Sequence, residues 1–311
     1  MSLSIGILYG GDSSEREISI KTGNSVASAL KYLGHKVTLF DAKPGFETKL
    51  KEANLDLAFI SLHGSPGEDG IIQGLLEFMN IPYTGSKVAG SAIAMDKLIS
   101  KKLFLQADLK TPNFISINRE ELKNRSIIDI YEEIVKKMGL PVVIKPYLEG
   151  SSVGLRIPKN LEQLKDDLTK SMEEMKPFII EEYIKGQELT VGILGNPANP
   201  LPIVEIVPKS GVFDFKAKYT KGETEYIVPA PLDSDLTKII QKMAVEAFNL
   251  LDCKDFGRVD FMLCEKQIPY ILEVNTIPGM TGTSLLPKAA SAIGMGFNEL
   301  CEMIIELSLK E

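Results

Sequence analysis

The sequence predicts an α/β protein whose N-terminal part is built on a doubly wound parallel sheet. Three observations carry that expectation. Apolar strand segments alternate with helical segments from the start of the chain, the order that places helices on both faces of a parallel sheet. Residues 55–62 form an apolar run, as in a strand covered on both faces. Residues 256–287 instead read as two strands joined by a tight turn near Lys266 and Gln267. That is an antiparallel hairpin, so the later part of the chain follows a different architecture.

Each element follows in order. Ser4–Tyr9 is an apolar strand ending at Gly10 and Gly11. Ser14 and Glu17 have the spacing of a capping box, and Ile18, Val26, Ala29, Leu30 and Leu33 continue a helical stripe to Gly34. A strand at Lys36–Asp41 and a short helix lead to the apolar run. Ligands of such sheets sit beyond the carboxyl ends of the strands, where this chain carries GGDSSERE and HGSPGEDG. Glu15 and His63 therefore stand at a candidate site. Glu15 equally suits the first turn of a helix, and His63 equally suits a hydrogen-bonded loop histidine.

A boundary is expected within residues 85–96, before the helix DKLISKKLFLQADL. A strand at NFISI, a helix at 127–138 and the strand PVVIKP follow, then the loop YLEGSSVGL. Such a Gly/Ser loop either turns a plain hairpin or wraps phosphates with its N–H groups, with Lys145 just before it. In FIIEEYIKGQELTVGILG, Glu181, Glu182 and Glu188 either receive an adenine amino group and ribose hydroxyls or line a solvated edge strand. Residues 209–230 show no clear apolar period, and a connection that long in a compact chain tends to be a lid. Residues 233–251 and 296–309 read as amphipathic helices.

The hairpin at 256–287 carries the most chemistry. Alternation puts Arg258, Asp260 and Met262 on one strand face and Val259, Phe261 and Leu263 on the other. In the second strand Ile271, Glu273 and Asn275 share a face, opposite Leu272 and Val274. A two-residue turn would set Asp260 across from Glu273 and Arg258 across from Asn275. Lys-Gln is not favoured turn chemistry, and Pro269 gives up a ladder donor. One reading is a solvated face neutralised by Arg258. The other is a magnesium site, since carboxylates plus substrate phosphates are how that ion is usually held. The following TIPGMTGTS supplies glycines that let N–H groups approach an anion.

Composition narrows the class. The chain has 311 residues, enough for two or three domains. Its net charge of −7 argues against a nucleic-acid or membrane-surface binder. The beginning MSLSIGILYGG lacks a basic segment before an apolar stretch, and no run spans a bilayer. Three cysteines, Cys253, Cys264 and Cys301, lack metal spacing and read as reduced thiols of the cytoplasm. Two histidines exclude a multi-histidine metal site. HExxH, GxxxxGK[ST] and GxGxxG are absent.

Together YGGDSSEREIS, LHGSPGEDG, MDKLISK, VIKPYLEGSSVGL, FIIEEYIKGQELTV, AKYTKGETEYIVPA, FGRVDFM and ILEVNTIPGMTGTSLLP resemble, in order and over nearly the whole chain, the D-alanine–D-alanine ligase family of the ATP-grasp superfamily. The resemblance implies a Rossmann-like domain over residues 1–90, then two ATP-grasp domains, 91–186 and 187–311, with mainly antiparallel α+β sheets. It implies ATP as substrate, two Mg²⁺ or Mn²⁺ ions on Asp260, Glu273 and Asn275, and a cytoplasmic homodimer that serves bacterial peptidoglycan synthesis. Lys97 and Lys145 resemble the phosphate-binding lysines. Glu149, Gly150, Ser151 and Ser152 resemble the loop that closes over the phosphates. Glu181, Glu182, Tyr183, Ile184 and Glu188 resemble the adenine and ribose contacts.

Glu15 resembles the carboxylate that meets the first D-alanine's ammonium, with His63 near the same subsite. Ser151 resembles the hydroxyl bridging Glu15 to Tyr219 of a mobile loop, and Lys218 the lysine closing its nucleotide side. Ser284 and the backbone of Leu285 resemble the receivers of the second carboxylate. Arg258 and the N–H of Gly279 resemble the stabilisers of a tetrahedral intermediate. The implied chemistry is an acyl phosphate, attacked by the second amine. Competing readings are a D-alanine–D-lactate ligase, against which Tyr219 speaks, and a nucleotide-binding regulatory protein, against which Asp260, Glu273, Asn275 and Arg258 speak.

Overall fold

The protein is described here by a computed structural model that covers residues 2–150, 154–213, 217, 218, 220 and 222–310. Its first sheet is parallel, with β1 (Ser4–Tyr9) between β2 (Lys36–Asp41) and β3 (Leu57–Ile60). Ile5, Ile7, Leu57 and Phe59 enter one apolar cluster, whereas Leu8, Ala58 and Ile60 enter another. Alternate side chains thus feed cores on opposite faces, which is why these strands read as unbroken apolar runs.

The helix Arg16–Tyr32 covers one face, and its Val26 and Leu30 pack with Leu300 and Ile304 of the final helix, Phe297–Ser308. The last helix of the chain seals the first sheet. The capping box expected of Ser14 and Glu17 is absent: the helix begins at Arg16, behind Glu15, with no side-chain cap. Ser13 takes the local bonds instead. Its Oγ accepts the Glu15 N–H at 3.2 Å and donates to the His63 carbonyl at 2.7 Å. Glu15 is thereby left at the carboxyl edge of the sheet with its side chain buried.

A second sheet is antiparallel, with β4 (Phe114–Ile117), β5 (Val142–Pro146) and β6 (Phe178–Glu182) in the order β4-β6-β5. The helices Ile127–Lys137 and Leu161–Glu173 supply Ile130, Ile134, Leu164 and Leu168 to its core. The third sheet comprises β7 (Gly186–Leu194), β8 (Asn199–Pro200), β9 (Val204–Pro208), β10 (Thr224–Ile227), β11 (Phe256–Cys264) and β12 (Pro269–Asn275). Its order is β10-β9-β7-β11-β12, with β8 on β7, and its pairs are antiparallel. The helix Ser234–Leu250 closes the core beneath it. Residues 209–230 are therefore not all loop, because β10 folds back onto β9.

The hairpin differs from the sequence expectation in a way that cancels. Its turn has three residues, 265–267, with Gln267 at φ 59° and Cys264 N–H donating to Ile268 O at 3.1 Å. That offset alone would shift the site pairs. A bulge between Asp260 and Phe261 compensates, pairing Phe261 with Ile271 but Asp260 with Glu273 and Arg258 with Asn275. Leu272 is the extra residue. Ile271 consequently joins the core with Phe261, and Leu272 moves to the cavity side with Glu273, which reverses the faces that alternation assigns to both residues.

Gly186 lies opposite Cys264, where a Cβ would collide with the backbone carbonyl of Leu263. Backbone in a central strand cannot step aside. Gly186→Ala is expected to cost about 1–3 kcal/mol, measured as a lower urea midpoint at unchanged slope.

Candidate active site

Two connected cavities lie where the three sheets converge. One, of about 230 Å³, is bounded by Glu15, His63, Arg258, Asn275, Gly279, Ser284 and Leu285. The other, of about 150 Å³, is bounded by Lys145, Glu149, Glu181, Glu182, Tyr183, Ile184, Glu188, Asp260 and Met262. Lys97, Gly150, Phe213, Lys218 and Glu273 border both. A ligand in one cavity therefore meets a ligand in the other beside Lys97 and Glu273. Ser151, Ser152 and Tyr219 lie outside the described residues.

In the smaller cavity, buried charge is arranged in alternating sign. Lys145 Nζ and Lys101 Nζ each stand 2.9 Å from a carboxylate oxygen of Glu181. Burial alone would push Glu181 up, but the two ammoniums overcome it and hold the carboxyl below its usual range. Burial lowers Lys101 to about 8 despite Glu181. Burial likewise works against Lys145, yet Glu181 and Glu273 raise it overall. Lys101 also donates to Thr111 Oγ1 at 2.5 Å, and Thr111 donates to the Ile271 carbonyl at 2.8 Å. The helix Lys97–Gln106 is thus tied to β12 through side chains. Glu181 is engaged by lysines, and Glu182 accepts from Asn113 Nδ2 at 2.8 Å. Glu188 is pushed up to about 8 by burial and by Asp260 and Glu273, against the pull of Lys218.

The hairpin face joins the cavities. Arg258 donates from Nε and Nη2 to the two oxygens of Asp260 at 2.8 and 2.9 Å, and Thr190 Oγ1 adds a bond to Oδ1 at 2.6 Å. Glu273 pairs with Lys97 at 3.1 Å. Burial opposes its ionisation, but Lys97, Lys145 and Lys218 hold it far below the ordinary carboxylate range. Lys97 also donates to the Glu149 carbonyl at 2.8 Å. Asn275 Oδ1 accepts the Ile277 N–H at 3.1 Å. Among the described residues no three His, Cys, Asp or Glu side chains form a cluster able to hold a metal ion. Asp260, Glu273 and Asn275 are nevertheless oxygen donors of the kind that hold Mg²⁺ once phosphate oxygens complete the shell.

In the larger cavity Glu15 faces two glycines. A Cβ on Gly150 would sit 2.6 Å from its Oε2, and one on Gly64 would sit 3.1 Å away. The Gly/Ser loop and the HGSPGEDG loop therefore approach the same carboxylate with bare backbone. His63 Nε2 shares a hydrogen bond with Thr22 Oγ1 at 3.1 Å, and burial lowers the imidazole to about 4. It is a neutral wall. At the far end Ser284 Oγ accepts the Thr281 N–H at 3.0 Å, and Ser284 stands just before the helix Leu285–Ser291 without capping it through its side chain. A Cβ on Gly279 would meet that Oγ at 2.9 Å. Over the top, Phe213 meets Tyr226 edge-on at 6.4 Å, and Lys218 Nζ lies 5.2 Å from the Phe213 ring.

Sequence reasoning passed over Glu68 and Leu272 at the cavities and Lys101 behind Glu181. Lys101 is four residues beyond Lys97 and so shares its helix face, a signal present in DKLISKKLF. Glu68 lies within HGSPGEDG and borders the larger cavity, but only His63 drew notice there. Leu272 had no signal, because a bulge leaves no mark in alternation.

Comparisons with known proteins follow this geometry. The family described as "D-ala D-ala ligase C-terminus" matches residues 103–306, and "D-ala D-ala ligase N-terminus" matches 41–86. A D-alanine–D-alanine ligase from Pelotomaculum thermopropionicum is 43% identical over 311 residues, covering 100% of this chain and 98% of that one. The crystal structure of a D-alanine–D-alanine ligase from Bacillus anthracis complexed with ATP superposes with a TM-score of 0.84 at 35% identity, covering 99% and 98%. A D-Ala:D-Ser ligase from Enterococcus faecalis gives 0.82 at 27% identity, covering 99% and 100%.

Two outcomes follow from the buried charges. Lys101→Met leaves Glu181 short of one partner, and breaking a buried pair costs about 3–5 kcal/mol; thermal or urea unfolding checks it. His63 stays neutral down to about pH 4, whereas an exposed histidine protonates near 6.5. The unfolded chain therefore binds more protons in that window, and stability falls as pH drops through it, by up to about 3 kcal/mol. His63→Gln is expected to flatten this loss in urea midpoints compared across the window.

Proposed function

The chain belongs to the D-alanine–D-alanine ligase family, whose activity is the ATP-dependent joining of two D-alanines, and we propose how its residues divide that work. The smaller cavity takes ATP, with Lys145 and Lys97 toward the phosphates, the backbone near Tyr183 and Ile184 along adenine, and Glu188 at the ribose. The larger cavity takes the amino acids. Glu15 receives the first ammonium, and Ser284 with the Leu285 N–H receives the second carboxylate. The observation that supports this reading is the border the two cavities share at Lys97 and Glu273, where a terminal phosphate would meet an amino-acid carboxylate.

Asp260, Glu273 and Asn275 would hold Mg²⁺ or Mn²⁺, which supplies charge neutralisation for the transferring phosphoryl group. An amine does not displace oxide from a carboxylate. The first D-alanine's carboxylate oxygen therefore attacks the terminal phosphorus, ADP leaves, and the resulting acyl phosphate is open to the second amine. The second amine attacks the carbonyl carbon as its neutral base, having given a proton to solvent. The tetrahedral oxyanion is stabilised by Arg258 and the Gly279 N–H, the C–O bond breaks as phosphate departs, and the nitrogen sheds its remaining extra proton to leave the amide. Donors of that kind contribute about 10²–10³-fold each. Water would destroy the acyl phosphate, and the aromatic pair Phe213–Tyr226 with Lys218 provides a cover against it.

The same reading divides the chain at 1–90, 91–186 and 187–311, one sheet to each interval except that β7 of the third begins at Gly186. It places the enzyme in the bacterial cytoplasm as a homodimer serving peptidoglycan synthesis. Exposed Ile71 and Phe78 on the helix Ile71–Phe78 offer apolar surface for such pairing. No helix among the described residues is long and apolar enough to cross a membrane.

The test is ADP release with ATP, Mg²⁺ and D-alanine, with the product identified by mass. D-alanyl-D-alanine is expected; a depsipeptide formed from added D-lactate would overturn the second-substrate assignment. Glu273→Gln is expected to lower turnover at least about 10²-fold, as for loss of one preorganised electrostatic group, measured below the variant's own melting temperature so that the loss of the Lys97 pair is not read as loss of activity. Undiminished ADP release from that variant would refute the metal assignment.

A further inference from the structure

We propose that Glu68 is a second carboxyl of the subsite for the first D-alanine's ammonium, acting as a pair with Glu15; the proposal rests on the ligase reading above. The two carboxyls arrive from different loops of the first sheet and border one cavity. Glu68 is more than nine-tenths buried, at 8% exposure. Its Oε2 accepts the Gly64 N–H at 2.7 Å, and Glu15 Oε2 lies over the same glycine. Among the described residues no lysine, arginine or histidine comes within ion-pair distance of Glu68. Lys97 is engaged by Glu273 and Glu149, and Arg258 by Asp260. His63, on the same loop, is neutral.

A buried carboxyl with one N–H bond and no cation is an unfilled electrostatic demand. Two carboxyls in one such pocket do not both ionise, so one keeps a proton. Burial first, and then the charge of Glu15, push Glu68 up to about 8, while Gly64, Lys97 and Arg258 pull the other way. An arriving ammonium supplies the missing positive charge. The Glu68 proton leaves for solvent, and the pair binds the substrate as two carboxylates. Binding of the first D-alanine is then linked to proton release, and it tightens as pH rises toward 8. Glu68 also braces the Gly64 turn, a structural role that glutamine's carbonyl oxygen fills equally well.

The experiment uses the full chain with ATP and Mg²⁺, and measures D-alanine-dependent ADP release between pH 6.5 and 8.5 for the wild type and Glu68→Gln, with melting temperatures alongside. In the wild type, KM for the first D-alanine is expected to fall as pH rises. In Glu68→Gln that KM is expected to rise about ten- to a hundredfold, the range for losing a hydrogen bond to a charged group. Its slope with pH should flatten, with kcat at saturating D-alanine changed far less and the melting temperature retained. A variant with unchanged KM and slope overturns the Glu68 assignment alone, as does a fall in kcat without a change in KM. If the variant does not fold, a flat wild-type profile is sufficient to overturn it. A wild type without D-alanine-dependent ADP release overturns the ligase reading as well.

Discussion

Charge neutrality inside a dry site is the constraint on which the rest of this structure depends. Glu181, Glu188, Asp260 and Glu273 border the smaller cavity together with Lys97, Lys145 and Lys218. Charges removed from water must be paired, or they neutralise or disrupt the fold. The partners come from different parts of the chain. Lys97 and Lys101 are on one helix, Lys145 on β5, Glu181 on β6, and Asp260 and Glu273 on the hairpin. The helix Lys97–Gln106 reaches both later sheets, through Lys101 to Glu181 of the second and through Lys97 to Glu273 of the third, whereas Lys145–Glu181 is a pair within the second sheet.

Those ties set electrostatics without a bound ligand. Three lysines keep Glu273 ionised despite burial, and Arg258 holds both oxygens of Asp260. Glu273 is thus charged, and Asp260 oriented, before any ligand arrives. Such preorganisation is where enzymes gain most of their electrostatic advantage. Glu188 and Glu68 show the opposite condition, each pushed up to about 8 by burial and neighbouring acids. One cavity system holds carboxyls in both states because cations reach some of them closely and others hardly at all.

Close backbone approach is the second organising feature. Glu15 has bare glycine on two sides, Gly64 from the loop after β3 and Gly150 from the loop after β5. A side chain at either position would push the loop around Gly150 or the HGSPGEDG loop away from the Glu15 carboxylate. The end of the chain contributes as well. The helix Phe297–Ser308 packs on Arg16–Tyr32, so the site lies between elements that share a core and do not slide independently.

Much of this was legible in the residues. Apolar runs and helical stripes marked the first sheet because burial on two faces leaves a compositional trace. Alternation put Arg258 and Asp260 on one face because the strand period is local, and the ordered motifs named the family. The Asp260–Glu273 pairing also came out correctly, but from two errors that cancel: a turn one residue too short and an unseen bulge at Leu272. Bulges, the inward turn of Glu15, the Lys101–Glu181 tie and the convergence of Glu68 with Glu15 carry no periodic signature. They arise from contacts between residues distant in sequence, where the outcome depends on which charge finds which partner once water is excluded. Sequence alone settled the fold class and the family, and it supplied the residue types that line the two cavities. Packing in three dimensions settled which of those groups are ionised, which are engaged and which are left to meet a substrate, because burial and distance, not identity, set the energy of a charge.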